Sequence, residues 1–408
     1  MKSGRTLPEL RKELPLVKQK INLFLKRTSW WDVAILTAGI ILALLLRYLL
    51  RTFESGDYTY YFRTWYTKIQ QEGFHSLGEA FSDYPPLYLS ILYVLSVVFP
   101  KISAWTVIKL PSIACDLVCA WYVYRIVRLK YGHGVAAGLS SLAVLFAPTV
   151  VLNGAVWGQI ESVYTAALLA CVYYLLRKKN WLACVAFGLA LSIKLQSAYL
   201  VPFLFALWLK KGLSFKQLLV VPAVYLVSIL PAWIAGRPIF ELITLYVAQV
   251  GDYKGLVNNG TSIYTWLPHA DFNAWYIPGI IYAAAICLIY VYLIIKSRVE
   301  SLYPYLVHLA LASLLIVPFF LPKTHDRYFY PADVLSIVFG FYYPEFFFIP
   351  IIINLVSFFI YQPFLFGVDI FPQSVLALIM FLAILFVIWR MVKQLYPQNH
   401  SAEKGEIH

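Results

Sequence analysis

Apolar residues run in long blocks along this chain, separated by short polar breaks, without the strict alternation of a half-buried strand. The blocks cover residues 31 to 50, 87 to 99, 104 to 124, 134 to 152, 160 to 176, 181 to 193 and 197 to 209. They continue at 218 to 235, 274 to 295, 302 to 321, 328 to 343, 346 to 364 and 374 to 392. A straight membrane crossing needs ~20 apolar residues. The pattern therefore predicts an all-α polytopic membrane protein with about 11 to 13 transmembrane helices, the shorter blocks being tilted, half-buried or re-entrant.

Composition removes the alternative of a water-soluble fold. Of 408 residues, 61% are hydrophobic and 13% charged, and mean hydropathy is +0.72; a soluble fold of this length could not bury that much apolar surface. The formal charge of +13 does not form one patch or stripe, so nucleic acid is not an expected partner. Its basic residues stand in the breaks, as the positive-inside rule requires. Residues 1 to 30 form a basic cytoplasmic segment, 31 to 392 a single membrane domain, and 393 to 408 a cytoplasmic tail. The first apolar block lacks cleavable-signal features and is expected to remain as an anchor. Arg177-Lys178-Lys179, Lys210-Lys211, Lys296 with Arg298, and Arg390 with Lys393 mark further cytoplasmic ends. Arg125, Arg128 and Lys130 also belong there, which allows one net crossing where residues 87 to 124 contain two apolar blocks. Either the 87 to 99 block dips without crossing, or the charge rule fails locally.

The extracytoplasmic loops 51 to 86 and 236 to 273 are where chemistry is expected. After Glu54-Ser55-Gly56-Asp57, the residues Tyr58, Tyr61, Phe62, Trp65, Tyr66 and Ile69 follow one face of a helix. This helix is expected to lie in the membrane interface. Asp57 falls in its first turn, where an aspartate serves as an N-cap, as a chemical group, or as both. The loop ends in Asp83-Tyr84-Pro85-Pro86-Leu87, an extended entry into the next helix. Polar turns on the same side carry Trp157-Gly158-Gln159-Ile160-Glu161, Lys194-Leu195-Gln196 and Lys323-Thr324-His325-Asp326-Arg327. Arg47 and Asp116 lie within apolar blocks; Arg47 is expected to snorkel and Asp116 to make an interhelical contact. No P-loop or dinucleotide-binding fingerprint is present. A lipid phosphate suits the layout, its headgroup meeting cations at the outer interface while its tail stays in the bilayer.

In this order, the motifs resemble the GT-C superfamily of membrane glycosyltransferases that use polyprenyl-phosphate sugars. The likeness is to dolichyl-phosphate-glucose-dependent glucosyltransferases and to bacterial mannosyltransferase relatives, and it covers residues 50 to 335. The resemblance implies an inverting transfer of glucose or mannose from a polyprenyl-phosphate donor to a lipid-linked or other extracytoplasmic acceptor. Asp57 would be the catalytic base, and Asp83 and Glu54 would orient the loop or the acceptor. Lys323, His325 and Arg327 would bind the donor phosphate, with His325 favoured. Gln159, Glu161, Lys194, Asn258 and Trp266 are possible substrate contacts. No metal or other cofactor is expected; a site from Asp57 with Glu54 or Asp83 is a minor alternative. A bacterial plasma membrane is preferred, and an endoplasmic reticulum membrane is the alternative. Two rival readings are a secondary transporter or flippase for a lipid-linked glycan, resting on Arg47 and Asp116, and a glycan polymerase or ligase.

Overall fold

The computed structural model describes residues 30 to 132, 134 to 249 and 254 to 397. The basic N-terminal segment, apart from Trp30, and most of the expected tail lie outside the described residues. The protein is an integral multi-pass membrane protein, and its described residues are mostly helical. Among the described residues, seven helices are long and apolar enough to cross a membrane, or up to eight if the bent pair Val135–Phe146 and Pro148–Trp157 counts as one span. Five shorter apolar helices account for most of the remaining blocks: Pro86–Val98, Glu161–Leu176, Asn180–Ile193, Leu195–Leu209 and Ile239–Ala248.

The ambiguity between residues 87 and 124 resolves against a crossing by the 87 to 99 block. Pro86–Val98 has 13 residues, about 20 Å of helix at 1.5 Å per residue, against ~30 Å of hydrocarbon. The next helix, Ala104–Tyr131, starts at the same end of the bundle. There Trp105 lies under the Arg51 guanidinium, 4.7 Å from its ring centroid, and Arg51 directly follows the first span, Trp30–Leu50. The far end of Ala104–Tyr131 meets the end of the Tyr330–Tyr342 helix, where the Tyr131 hydroxyl donates to the Phe341 carbonyl at 2.6 Å. Lys130 donates to the Tyr342 carbonyl there.

The first long loop contains the expected helix, with a local change of pitch. Residues 56 to 72 are continuously helical, with a π turn over Tyr58–Phe62 leading into Arg63–Glu72. Tyr58, Phe62, Trp65, Tyr66 and Ile69 are buried as one face. Tyr61 is not: the wider π turn rotates it off the face, and it is 49% exposed. The apolar face packs on protein, with Phe62 and Trp65 against Tyr84.

The second long loop is more ordered than its sequence implies. It holds the Ile239–Gln249 helix, whose Leu242 and Leu245 are buried, and a two-residue strand, Val257–Asn258, paired in parallel with Thr324–His325. This pairing docks the loop on the turn that carries Arg327.

Arg47 does not snorkel. It is 1% exposed, its Nε donates to Asp116 Oδ2 at 2.8 Å, and its Nη1 donates to the Ala43 and Leu145 carbonyls. The Tyr330 hydroxyl donates to the other Asp116 oxygen at 3.4 Å. Removing one partner of such a pair strands a buried charge. Asp116→Ala should therefore cost about 3–5 kcal/mol, read as a lower Tm in detergent, and the double replacement Arg47→Met with Asp116→Leu should recover most of it. Equal losses in the single and double variants would show that the pair itself carries the stability.

Candidate active site

Ser55 takes the capping role that was open to Asp57. Its hydroxyl accepts from the Tyr58 N–H at 3.1 Å and donates to the Trp157 carbonyl at 2.8 Å. Asp57 is already helical and makes no capping bond. Its carboxylate turns to the polar turn instead, where Oδ2 accepts from Trp157 Nε1 at 2.8 Å and Gln159 Nε2 at 2.5 Å. Among the described residues Oδ1 accepts no hydrogen bond, and the side chain remains 16% exposed.

The Trp157-Gly158-Gln159 geometry follows from a broken helix. Ala147-Pro148 bends the segment by 51°, and a second π turn over Leu152–Trp157 ends at Gly158 with φ +83°, a left-handed conformation suited to glycine. The chain thus reverses with Trp157 and Gln159 presented to one point. Tyr84 fixes the Gln159 amide by donating its hydroxyl to Oε1 at 2.7 Å, which leaves Nε2 for Asp57. Burial, followed by the Glu161 charge, holds the Tyr84 hydroxyl well above its ordinary pKa, so it remains a donor.

Behind this turn lies a network of charges. Lys194 Nζ donates to Glu161 Oε1 at 2.5 Å. Arg327 reaches three carboxylates: Asp326 at 3.2 Å, Glu161 at 3.4 Å and Asp57 at 3.9 Å. Its guanidinium also lies 5.3 Å from the Trp157 ring centroid. Burial lowers the Lys194 pKa despite the neighbouring Glu161. Burial also raises Asp326 to about 7, against the opposing pull of Arg327. Arg327 is raised, because the attraction of Asp326, Glu161 and Asp57 outweighs its own burial.

Adjoining the network is a cavity of about 550 Å³ with both charged and apolar lining. Asp83, Lys194, Lys323 and Arg327 supply its charged lining, and Tyr199, Tyr276, Ile280, Val317 and Leu321 supply apolar wall. Lys323, in the left-handed region at φ +65°, places its ammonium 5.0 Å from the Tyr276 ring centroid.

Asp57, Gln159, Glu161, Lys194 and Arg327 are thus brought together, with Asp83 and Lys323 on the adjoining cavity. His325 and Asn258 form a neighbouring pair, Asn258 Nδ2 lying 3.3 Å from His325 Nδ1. Glu54 is exposed and takes part in none of these contacts. Trp266 lies elsewhere, donating to the Ser374 carbonyl at 3.0 Å and packing near Phe319 and Phe381. Trp157, Tyr84 and Asp326 join the site although their roles were not assigned from sequence; each adjoins an assigned residue in a motif. Among the described residues no group of three or more His, Cys, Asp or Glu side chains is placed to hold a metal ion.

Comparison with known proteins adds the following. A family model described as dolichyl-phosphate-mannose-protein mannosyltransferase matches residues 83–234, less than half of the chain. No curated protein matches. The crystal structure of ArnT from Cupriavidus metallidurans bound to undecaprenyl phosphate is similar, with TM-score 0.51 and 12% identity, over 88% of this chain and 77% of that one. At that identity the likeness establishes a shared fold. Both findings agree with the GT-C resemblance read from the motifs.

One expectation about charge changes. Burial, then the positive charges of Arg327 and Lys194, push His325 down to about 3. The imidazole is therefore neutral in the working range and can offer a hydrogen bond there but not a charge. A lowered histidine pKa means protonation only below about 3, so the His325 imidazole itself does not titrate between about pH 5 and 8. His325→Gln should weaken donor binding by less than about 10-fold, and by the same factor throughout that range. A penalty that shrinks as pH rises through about 6.5 would instead mark an imidazolium in the free protein.

Proposed function

We propose that this chain is an inverting glycosyltransferase that moves a hexose, glucose or mannose, from a polyprenyl-phosphate donor to a lipid-linked or other extracytoplasmic acceptor. The observation that carries this reading is the placement of the Asp57 carboxylate. One of its oxygens is held by Trp157 and Gln159, and Arg327, 3.9 Å from it, lines a cavity whose wall holds Lys194 and Lys323 together with apolar residues such as Val317 and Leu321. The similarity to a protein crystallised with undecaprenyl phosphate supports a lipid phosphate as the cavity's occupant.

A glycosidase requires a second carboxyl group to protonate a poor leaving alcohol. A sugar joined to a lipid phosphate already has a good leaving group, so one base suffices. In this reading Asp57 Oδ1 takes the proton of an acceptor hydroxyl as that oxygen attacks the anomeric carbon. The bond from that carbon to the phosphate oxygen breaks, the electron pair leaves with the polyprenyl phosphate, and the configuration inverts. Arg327, Lys194 and Lys323 stabilise the charge that develops on the leaving phosphate, while neutral His325 offers a hydrogen bond. Asp83 orients the acceptor or the loop. No step calls for a metal.

The transporter alternative rested on Arg47 and Asp116, which are bonded to each other inside the bundle. The cation-rich ends of the helices favour placing the site on the extracytoplasmic side, with a bacterial plasma membrane preferred.

The test is transfer of labelled hexose from synthetic polyprenyl-phosphate glucose or mannose to membrane lipid extracts. Wild type should transfer one of them with inversion, and Asp57→Asn should lower the rate by about 10²–10⁴-fold while keeping its Tm and donor binding. Full activity in Asp57→Asn would place the base elsewhere. Absence of both transfer and donor binding in wild type would overturn the reading.

A further inference from the structure

Lys109 lies on the Ala104–Tyr131 helix, at 0% exposure. An ammonium has three N–H donors and no acceptor, and here each has a main-chain carbonyl. Nζ donates to Phe53 O at 2.6 Å, to Ala155 O at 2.9 Å and to Val156 O at 2.9 Å. Lys109 thereby joins the segment leading to Asp57 to the π turn leading to Trp157 and Gln159. Gly158 sits directly on its stem: a Cβ there would lie 3.4 Å from Lys109 Cε. One turn further along the same helix, Ser112 donates to the Gln159 carbonyl at 2.5 Å.

We propose that Lys109 is a positioning residue that holds Trp157 and Gln159 against Asp57 and so sets turnover without touching substrate; this rests on the transferase reading above. Its nearest listeners are carbonyls, because the π turn and the left-handed Gly158 leave the Ala155 and Val156 carbonyls without helical partners. A point charge with three converging donors satisfies them together with Phe53. Arginine, whose donors lie in a planar fork, does not reproduce that geometry. Methionine fills the same length and leaves all three carbonyls unbonded. The turn would then relax, and Trp157 Nε1 and Gln159 Nε2 would move off the Asp57 oxygen. A shift of ~1 Å in a catalytic constellation can cost 10²-fold in rate.

The test compares purified wild type with Lys109→Met, measuring kcat and the donor KM separately. Lys109→Met should lower kcat by about 100-fold with the donor KM changed by less than about 3-fold. A double-mutant cycle supplies the readout that a purely structural role would not move. In a Trp157→Phe, Gln159→Leu background, where the donors are already gone, Lys109→Met should cost less than about 3-fold more. Losses that multiply in that background would overturn the proposal in favour of general destabilisation, and so would a Lys109→Met enzyme with unchanged kcat. If Lys109→Met does not fold, the cycle is run with Lys109→Gln, and failure of both to fold would equally assign Lys109 to structure alone. Wild type that transfers no sugar would defeat the transferase reading itself, an outcome separate from these.

Discussion

Main-chain groups removed from water inside a bilayer must find partners within the protein, and the bend between residues 147 and 158 concentrates that demand. Ala147-Pro148, the π turn and the left-handed Gly158 interrupt the helical ladder three times within a dozen residues. The carbonyls so exposed are met from outside the segment: Ala155 and Val156 by Lys109, Trp157 by Ser55 and Gln159 by Ser112. Each of these donors comes from a different part of the chain's outer end or from the Ala104–Tyr131 helix. Satisfying the bend thus assembles the neighbours of Asp57.

Electrostatics gives the same region a second constraint. Asp57, Glu161 and Asp326 surround Arg327, and Glu161 also takes Lys194. Buried charge is tolerated only when paired, so without a ligand the network neutralises itself. An anionic group entering the cavity beside Lys194, Lys323 and Arg327 would compete with these carboxylates for the same cations. The looser Arg327 contact to Asp57, at 3.9 Å, is the easiest to exchange. The raised pKa of Asp326 comes first from its burial, with the charges of Asp57 and Glu161 adding to it against the pull of Arg327.

The opposite end of the bundle has a different character. Lys178 stacks 4.9 Å from the Tyr303 ring centroid, and Lys210 donates to the Ser297 carbonyl. These residues, with Lys130 at Tyr342, place the chain's basic breaks at the end away from Asp57. The long apolar spans hold the two ends apart, with Arg47 and Asp116 tying the first span to the Ala104–Tyr131 helix between them.

By itself the sequence determined the membrane environment, the helical class and the candidate motifs, because each depends on local composition, period or order along the chain. Asp57, Gln159, Glu161, Lys194 and Arg327 were all legible as polar residues at breaks on one side. Several properties depended on which distant segments meet, and no local pattern encodes that. Tyr61 left its helical face because a π turn has a different pitch; Arg47 met Asp116 instead of reaching the interface; and Ile239–Gln249 proved helical inside a nominal loop. The tertiary structure alone decided that Ser55, not Asp57, caps the helix, since the Asp57 carboxylate is claimed by donors a hundred residues away. It also decided that His325 is neutral, because burial beside two cations penalises the charged imidazole.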